Sequence, residues 1–410
     1  AGKPLILNAD NTVSQVAESG NTVTEGMGLN QVVDASGFYD GMSSLCWIDE
    51  ANGKFAVGYL ASNGYPTAVI GTVDGSNKTI TYGSPFSLST SYTNTKSPSI
   101  AYDPDQSKLF MTFNNVSDAL AYGRFLSVSG TTITAVGNMT VMDSDQSYYQ
   151  KVMYDTVNNV MLFLNINSTG QRLEWCGVTM TGTTPSRNSA TQQALTQSNI
   201  FMKNGLSYDS TNGIFYFALN VSNNNNIMQG AKWNGSAFTI GTASAITTAS
   251  NDYGSEATSW FGTGYKFAHF YTSSSQLYGT VVTVDSSTLN ITNSTYQAIG
   301  TINNANGTAV SYDSASGKFS LMASGSSIGV TTVISLSGTT FTAGDSVTFL
   351  SSASSSRSHS LPTSDTSQTE NPTVFGYNDT SVTDGVCRVF TQGQSPVTNL
   401  LSDNYFGIAS

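Results

Sequence analysis

Apolar and polar positions alternate along most of this chain in short runs, and the runs are broken by clusters of Asp, Asn, Ser and Gly. A period of two puts successive side chains on opposite faces of a strand, and such clusters mark the turns between strands. One phrase recurs seven times: Trp47-Ile48-Asp49 running to Lys54-Phe55, Ala101-Tyr102-Asp103, Met153-Tyr154-Asp155, Ser207-Tyr208-Asp209, Ser259-Trp260-Phe261, Ser311-Tyr312-Asp313 and Gly376-Tyr377-Asn378. With markers at 48, 102, 154, 208, 260, 312 and 377, the steps are 54, 52, 54, 52, 52 and 65 residues. Each copy reads as a strand, a tight polar turn and a second strand, which is a β-hairpin.

A second hairpin phrase follows each copy. Tyr122 to Thr134, Val330 to Thr342 and Ala68 to Thr81 are examples, with Thr alternating with apolar residues around a Gly- or Asp-containing turn. Two hairpins make a four-stranded antiparallel unit with two faces to cover, and radial stacking covers both. No helical periodicity longer than about two turns is present. The period is too long for a parallel β-helix and too short for a row of sandwiches, which need roughly 80–100 residues each. The expected fold is therefore all-β, a seven-bladed β-propeller of four-stranded antiparallel blades occupying residues 1–398, with 399–410 as a closing strand or the lead-in to a further module. An N-terminal strand is expected to complete the seventh blade, and the strand-like run Leu5 to Val16 is the candidate. The long sixth step holds the Ser-rich stretch 351–359 and is read as an extended loop.

Composition narrows the function. Only 10% of the residues are charged, against roughly 25% in an average globular protein, so Ser, Thr, Asn and Gly must supply the polar surface. That surface is common on secreted and virion-surface β proteins. The net charge of −11, with no cluster of Lys or Arg, argues against nucleic acid and anionic membranes as partners. No apolar run is long enough to span a bilayer. Cys46, Cys176 and Cys387 have no metal-binding spacing and read as small buried hydrophobes.

Candidate chemistry is sparse. His269 lies in the apolar run Phe267 to Tyr271 and reads as a core histidine, while His359 sits in the Ser-rich stretch. Paired carboxylates for glycoside hydrolysis would have to come from Asp143, Asp145, Asp252 and Glu256. No cofactor is expected. The segments leading into the units carry aromatics: Phe38, Tyr39, Tyr92, Tyr148, Tyr149, Phe201 and Tyr253. In a propeller these connections converge on one mouth of the channel, where aromatic faces and amide neighbours suit sugar rings. Tyr39, Tyr92, Tyr148, Tyr149 and Tyr253 are the candidate glycan contacts; the alternative reading is that they wedge adjacent blades together.

The opening Lys3 to Ser14 and the closing Asn399 to Ser410, with its Asn404-Tyr405-Phe406-Gly407-Ile408-Ala409 phrase, resemble segments of tail-fibre-like and other appendage proteins of tailed, especially marine, bacteriophages. The resemblance implies a structural protein on the virion surface, part of an oligomeric assembly with other virion proteins. It would mediate assembly or attachment to host-surface polysaccharide without catalysis. A secreted or cell-surface lectin-like propeller and a glycan-cleaving enzyme are the alternatives.

Overall fold

In a computed structural model, the described residues are 25–38, 43–144, 147–167, 172–188, 191–194, 200–201, 205–221, 225–246, 256–262, 264–273, 276–301, 307–324, 329–350, 363–364, 372–379, 384–393 and 397–398, with 4–7, 13–15, 18–19 and 405–408 near the ends. They form a β-propeller of seven four-stranded antiparallel blades. Blades 1 to 6 occupy 43–87, 95–143, 147–194, 200–246, 257–301 and 307–350, and blade 7 combines 363–391 with 26–34. First strands of most adjoining blades touch one another.

Blade 2 shows why these residues make this sheet. Its strands are Thr95–Asp103, Lys108–Asn115, Leu120–Ser129 and Thr132–Asp143, paired in chain order. In the second strand Leu109, Met111 and Phe113 enter the core shared with blade 1, whereas Phe110 enters the core shared with blade 3. Blade 4 repeats the arrangement: Phe215, Phe217 and Leu219 face blade 3, and Ile214 and Tyr216 face blade 5. Both faces are dry, so the second strands are nearly continuous apolar runs. Each large side chain buried this way contributes about 1.5–3 kcal/mol.

The recurring aspartate builds the turn. Asp155 Oδ1 accepts from the backbone N–H groups of Val157 and Asn158, and its Oδ2 accepts from Asn158 Nδ2. Asp209 makes the same three bonds with Thr211 and Asn212. The residue four beyond the aspartate then takes a left-handed conformation: φ is 62° at Gly53, 51° at Ser107, 52° at Asn159, 67° at Gly213 and 69° at Gly317. Glycine or asparagine at most of these positions keeps that strain small.

The aromatic partner of that aspartate reaches across a seam between blades. Tyr154 donates to Asp105 of the preceding turn at 2.8 Å, and Tyr208 donates to Asp155 at 2.6 Å. Nearer the middle of the first strands, serine hydroxyls accept from the next blade's backbone: Ser44 from Ile100 N, Ser99 from Val152 N and Ser207 from Trp260 N, at 3.3, 2.9 and 2.7 Å.

An N-terminal strand closes the ring, but it is not the run Leu5 to Val16. Gly26–Met27 and Gln31–Asp34 pair with Asp384–Thr391, placing Met27 opposite Phe390 and Val32 opposite Val386. Pro4–Leu7 instead pairs with Val13–Gln15 and with Tyr405–Ile408 in a separate small sheet. The clasp is reinforced by side chains. Asn30 donates to Asp379 and accepts from Tyr377, both at 2.7 Å, and also accepts from Arg388. Asn378 Oδ1 accepts from Phe38 N at 2.7 Å and its amide donates back to Phe38 O at 2.8 Å.

The seventh copy of the phrase also sits differently. Tyr377 lies in the second strand of its blade, Pro372–Asp379, whereas the markers of blades 1 to 6 end first strands. The first strand of blade 7 is Thr363–Ser364, which is 52 residues beyond Tyr312 when counted to Ser364 and keeps the period of the other blades. The Ser-rich stretch and His359 lie outside the described residues.

Two outcomes are expected. Deleting residues 1–19 leaves the ring's melting transition in place, whereas deleting 1–37 exposes the edge of Asp384–Thr391 and gives aggregated protein in thermal scans and size-exclusion chromatography. Tyr208→Phe lowers unfolding free energy by about 1–2 kcal/mol in denaturant titrations, through loss of the hydroxyl that donates to Asp155 and contacts Val157 N and Thr156.

Candidate functional site

Antiparallel pairing divides the ring into two faces. The entries into first strands and the turns between second and third strands lie on one face, and the remaining hairpin turns on the other. The aromatic candidates belong to the first of these. Tyr92 is half-buried, 4.8 Å from the ring of Tyr122 and 5.7 Å from that of Phe113, in the core between blades 1 and 2. Tyr149 has a φ of 52°, donates its backbone N–H to Ser97 Oγ at 3.2 Å and packs on the core between blades 3 and 4. Tyr148 is a strand residue opposite Ile166, and Phe201 is one opposite Asn220. Phe38 is buried against Tyr59 of blade 1, with ring centres 5.2 Å apart. Tyr39 and Tyr253 lie outside the described residues. Tyr92 and Tyr149 therefore occupy different seams and do not form one platform.

The carboxylate candidates are also separated. Asp143 is buried in the seam between blades 2 and 3 and accepts from Asn165 Nδ2. Glu256 is buried just before the first strand of blade 5, on the side facing Tyr216 of blade 4. Asp145 and Asp252 lie outside the described residues. Desolvation pushes the Glu256 carboxyl up to about 8, and its Oε1 has no hydrogen-bond partner among the described residues. His269 is a buried core residue, as its apolar surroundings imply. It shares a 2.6 Å hydrogen bond at Nδ1 with the Tyr216 hydroxyl, and burial lowers its pKa to about 3. Among the described residues no three His, Cys, Asp or Glu side chains are grouped to hold a metal ion. Cys176 and Cys387 are buried and Cys46 is half-buried, and all three are free thiols.

The opposite face carries a feature that sequence reading missed. A groove of about 350 Å³ opens between blades 1 and 2, lined by Ile48, Asp49, Lys54, Tyr102, Ser107, Val128 and Gly130. Its origin is local. The blade 1 hairpin is irregular between Trp47 and Asp49, just before a turn over Glu50–Asn52. Asp49 spends its carboxylate on Asn52, accepting from N at 3.3 Å and from Nδ2 at 2.7 Å. Tyr102 makes no hydrogen bond among the described residues of the kind that Tyr154 makes to Asp105, and Ala51 stands at the corresponding place in the blade 1 turn. Lys54 forms no ion pair among the described residues, and it sits directly opposite Asp49 in the strand register.

No protein-family model matches the sequence, and no curated protein matches it. Solved structures do resemble the fold. A structure described as the Dos1 propeller superposes with a TM-score of 0.50 at 9% identity, covering 95% of this chain and 81% of its own. A chain of a mitotic checkpoint complex gives 0.56 at 13% identity over 89% and 94%. The periplasmic gluconolactonase PpgL of Pseudomonas aeruginosa gives 0.51 at 10% identity over 86% and 98%. At these identities the likeness is one of fold, shared by enzymes and non-enzymes alike.

A pH dependence follows from the seam between blades 4 and 5. Folding holds Glu256 protonated, so its contribution to stability is complete below its ordinary value of 4.5 and is lost as the pH rises through about 8. His269 works in the opposite sense: its contribution is complete above 6.5 and is lost as the pH falls through about 3. Between pH 6.5 and 8 the carboxyl therefore acts alone in this seam. Glu256→Gln should flatten the decline of melting temperature across that interval, as read by calorimetry at its two ends.

Proposed function

We propose that this chain is a non-catalytic attachment propeller of a virion appendage, assembling with other virion structural proteins and docking on host-surface polysaccharide. The observation that carries the choice of binding over cleavage is the placement of the two candidate carboxylates among the described residues, Asp143 and Glu256. Asp143 lies in the seam of blades 2 and 3 and Glu256 in that of blades 4 and 5, both buried. A glycosidase needs two carboxyl groups about 5–9 Å apart across one cleft. The charge-poor surface of Ser, Thr and Asn supports an extracellular setting, and the two end segments support the appendage assignment. A lectin-like propeller displayed on a cell is the second reading, and the groove between blades 1 and 2 is the feature in its favour.

The test uses particles and polysaccharide together. Antibodies raised against the chain should label purified virions in electron microscopy, and the chain should bind host polysaccharide without releasing reducing ends. Label restricted to cell envelopes would favour the lectin reading. Release of new reducing ends by purified protein, abolished by Glu256→Gln or Asp143→Asn, would overturn the non-catalytic assignment.

A further inference from the structure

We propose that the groove between blades 1 and 2 is a binding subsite for a neutral, hydroxyl-rich pyranose of a glycan, with Tyr102 as its aromatic floor. This rests on the reading of the chain as an attachment module, and it moves the contact from the entry-side tyrosines to the opposite face of the ring.

The groove is made of what a sugar ring requires. Its volume of about 350 Å³ falls at the lower end of the 300–1,000 Å³ typical of ligand pockets, which suits one small ring rather than a long chain. Tyr102 is half-buried, which fixes its ring, and Ile48 and Val128 extend the apolar wall. An aromatic face beside aliphatic side chains suits the CH face of a pyranose. Polar groups surround that wall. The Tyr102 hydroxyl is without a hydrogen bond among the described residues, and the exposed Ser107 hydroxyl and the Lys54 ammonium add donors. Asp49 adds an acceptor, since each of its oxygens takes one bond from Asn52 and has capacity for more.

The seams of blades 2–3 and 3–4 differ from this one. There the corresponding tyrosine hydroxyls are consumed by Asp105 and Asp155. At the first seam Ala51 stands where Asp105 stands in the blade 2 turn, and Tyr102 lines a groove instead.

Charge selects the class of sugar. Lys54 and Asp49 are register partners that both line the groove, so it presents one charge of each sign. An ammonium and a carboxylate lining one groove can serve different hydroxyls, the first donating to an oxygen and the second accepting from an O–H. A sialic or uronic acid would gain from Lys54 and lose to Asp49, so the pair gives it no advantage.

The experiment is a glycan array followed by titration calorimetry, with neutral hexose and N-acetylhexosamine glycans as one arm and sialylated and uronate glycans as the other. Wild-type protein should bind members of the neutral arm. Tyr102→Ala should weaken that binding about tenfold or more, the scale of one lost aromatic contact. If Tyr102→Ala does not fold, Lys54→Met and Tyr102→Phe serve in its place, each expected to weaken binding several-fold with an unchanged melting temperature. Binding confined to acidic glycans would overturn the assignment of a neutral sugar. Binding untouched by the groove variants but lost in Tyr148→Ala would overturn the groove and leave the attachment reading standing. If the array shows no binding, the subsite is disproved, and virion labelling still decides the attachment reading separately.

Discussion

Each blade is a single layer of β-sheet with two apolar faces, and only neighbouring blades can cover them. Phe110 of blade 2 packs on Phe125 of its own sheet, but it is buried because blade 3 stands beside it. The ring must therefore close, since a missing neighbour would leave a face of aromatic and aliphatic side chains in water. Apolar contact alone would allow blades to slide. Register at the seams comes from directional bonds: the hydroxyls of Ser44, Ser99 and Ser207, each holding a backbone N–H of the following blade, and the tyrosine–aspartate pairs farther along.

Much of this was written plainly in the chain. The Asp-x-x-Asn turns announce themselves because one side chain must satisfy two backbone donors, and few residue types can do so. The second strands stand out because both faces are dry. What escaped was the closing strand. Gly26–Met27 and Gln31–Asp34 are two short pieces separated by a break, and they lack the strong apolar pattern of Leu5 to Val16. Their place is dictated by the clasp of Asn30 with Tyr377, Asp379 and Arg388, a contact no local pattern encodes. Tyr377 misled for a related reason. A second hairpin in blade 7 carries the same aromatic-then-polar wording, while the true first strand, Thr363–Ser364, is too short to signal itself.

The site was less legible than the fold. The positions of Tyr92 and Tyr149 were evident, but not that each is packed into a core. The groove is lined by residues of two blades and lies beside one irregular pairing at Ile48. Neither shows in composition or period. Buried ionisable groups such as Glu256 and His269 likewise gain their character from the adjoining blade, not from their own strand.

The clasp of blade 7 has a kinetic consequence. Phe38 and Asn378, which hold each other by two hydrogen bonds, are 340 residues apart in sequence. During synthesis the strand at Gln31–Asp34 leaves the ribosome long before its partner, Asp384–Thr391. Blades 1 to 6 can stack in order as they emerge, but the outer faces of blades 1 and 6 stay bare until the end. Closing so long a loop is slow, and the waiting edge invites pairing with another nascent chain. The step that locks the ring is thus the one most exposed to domain swapping, and yield on expression should be governed by translation and closure rates more than by the stability of the finished propeller.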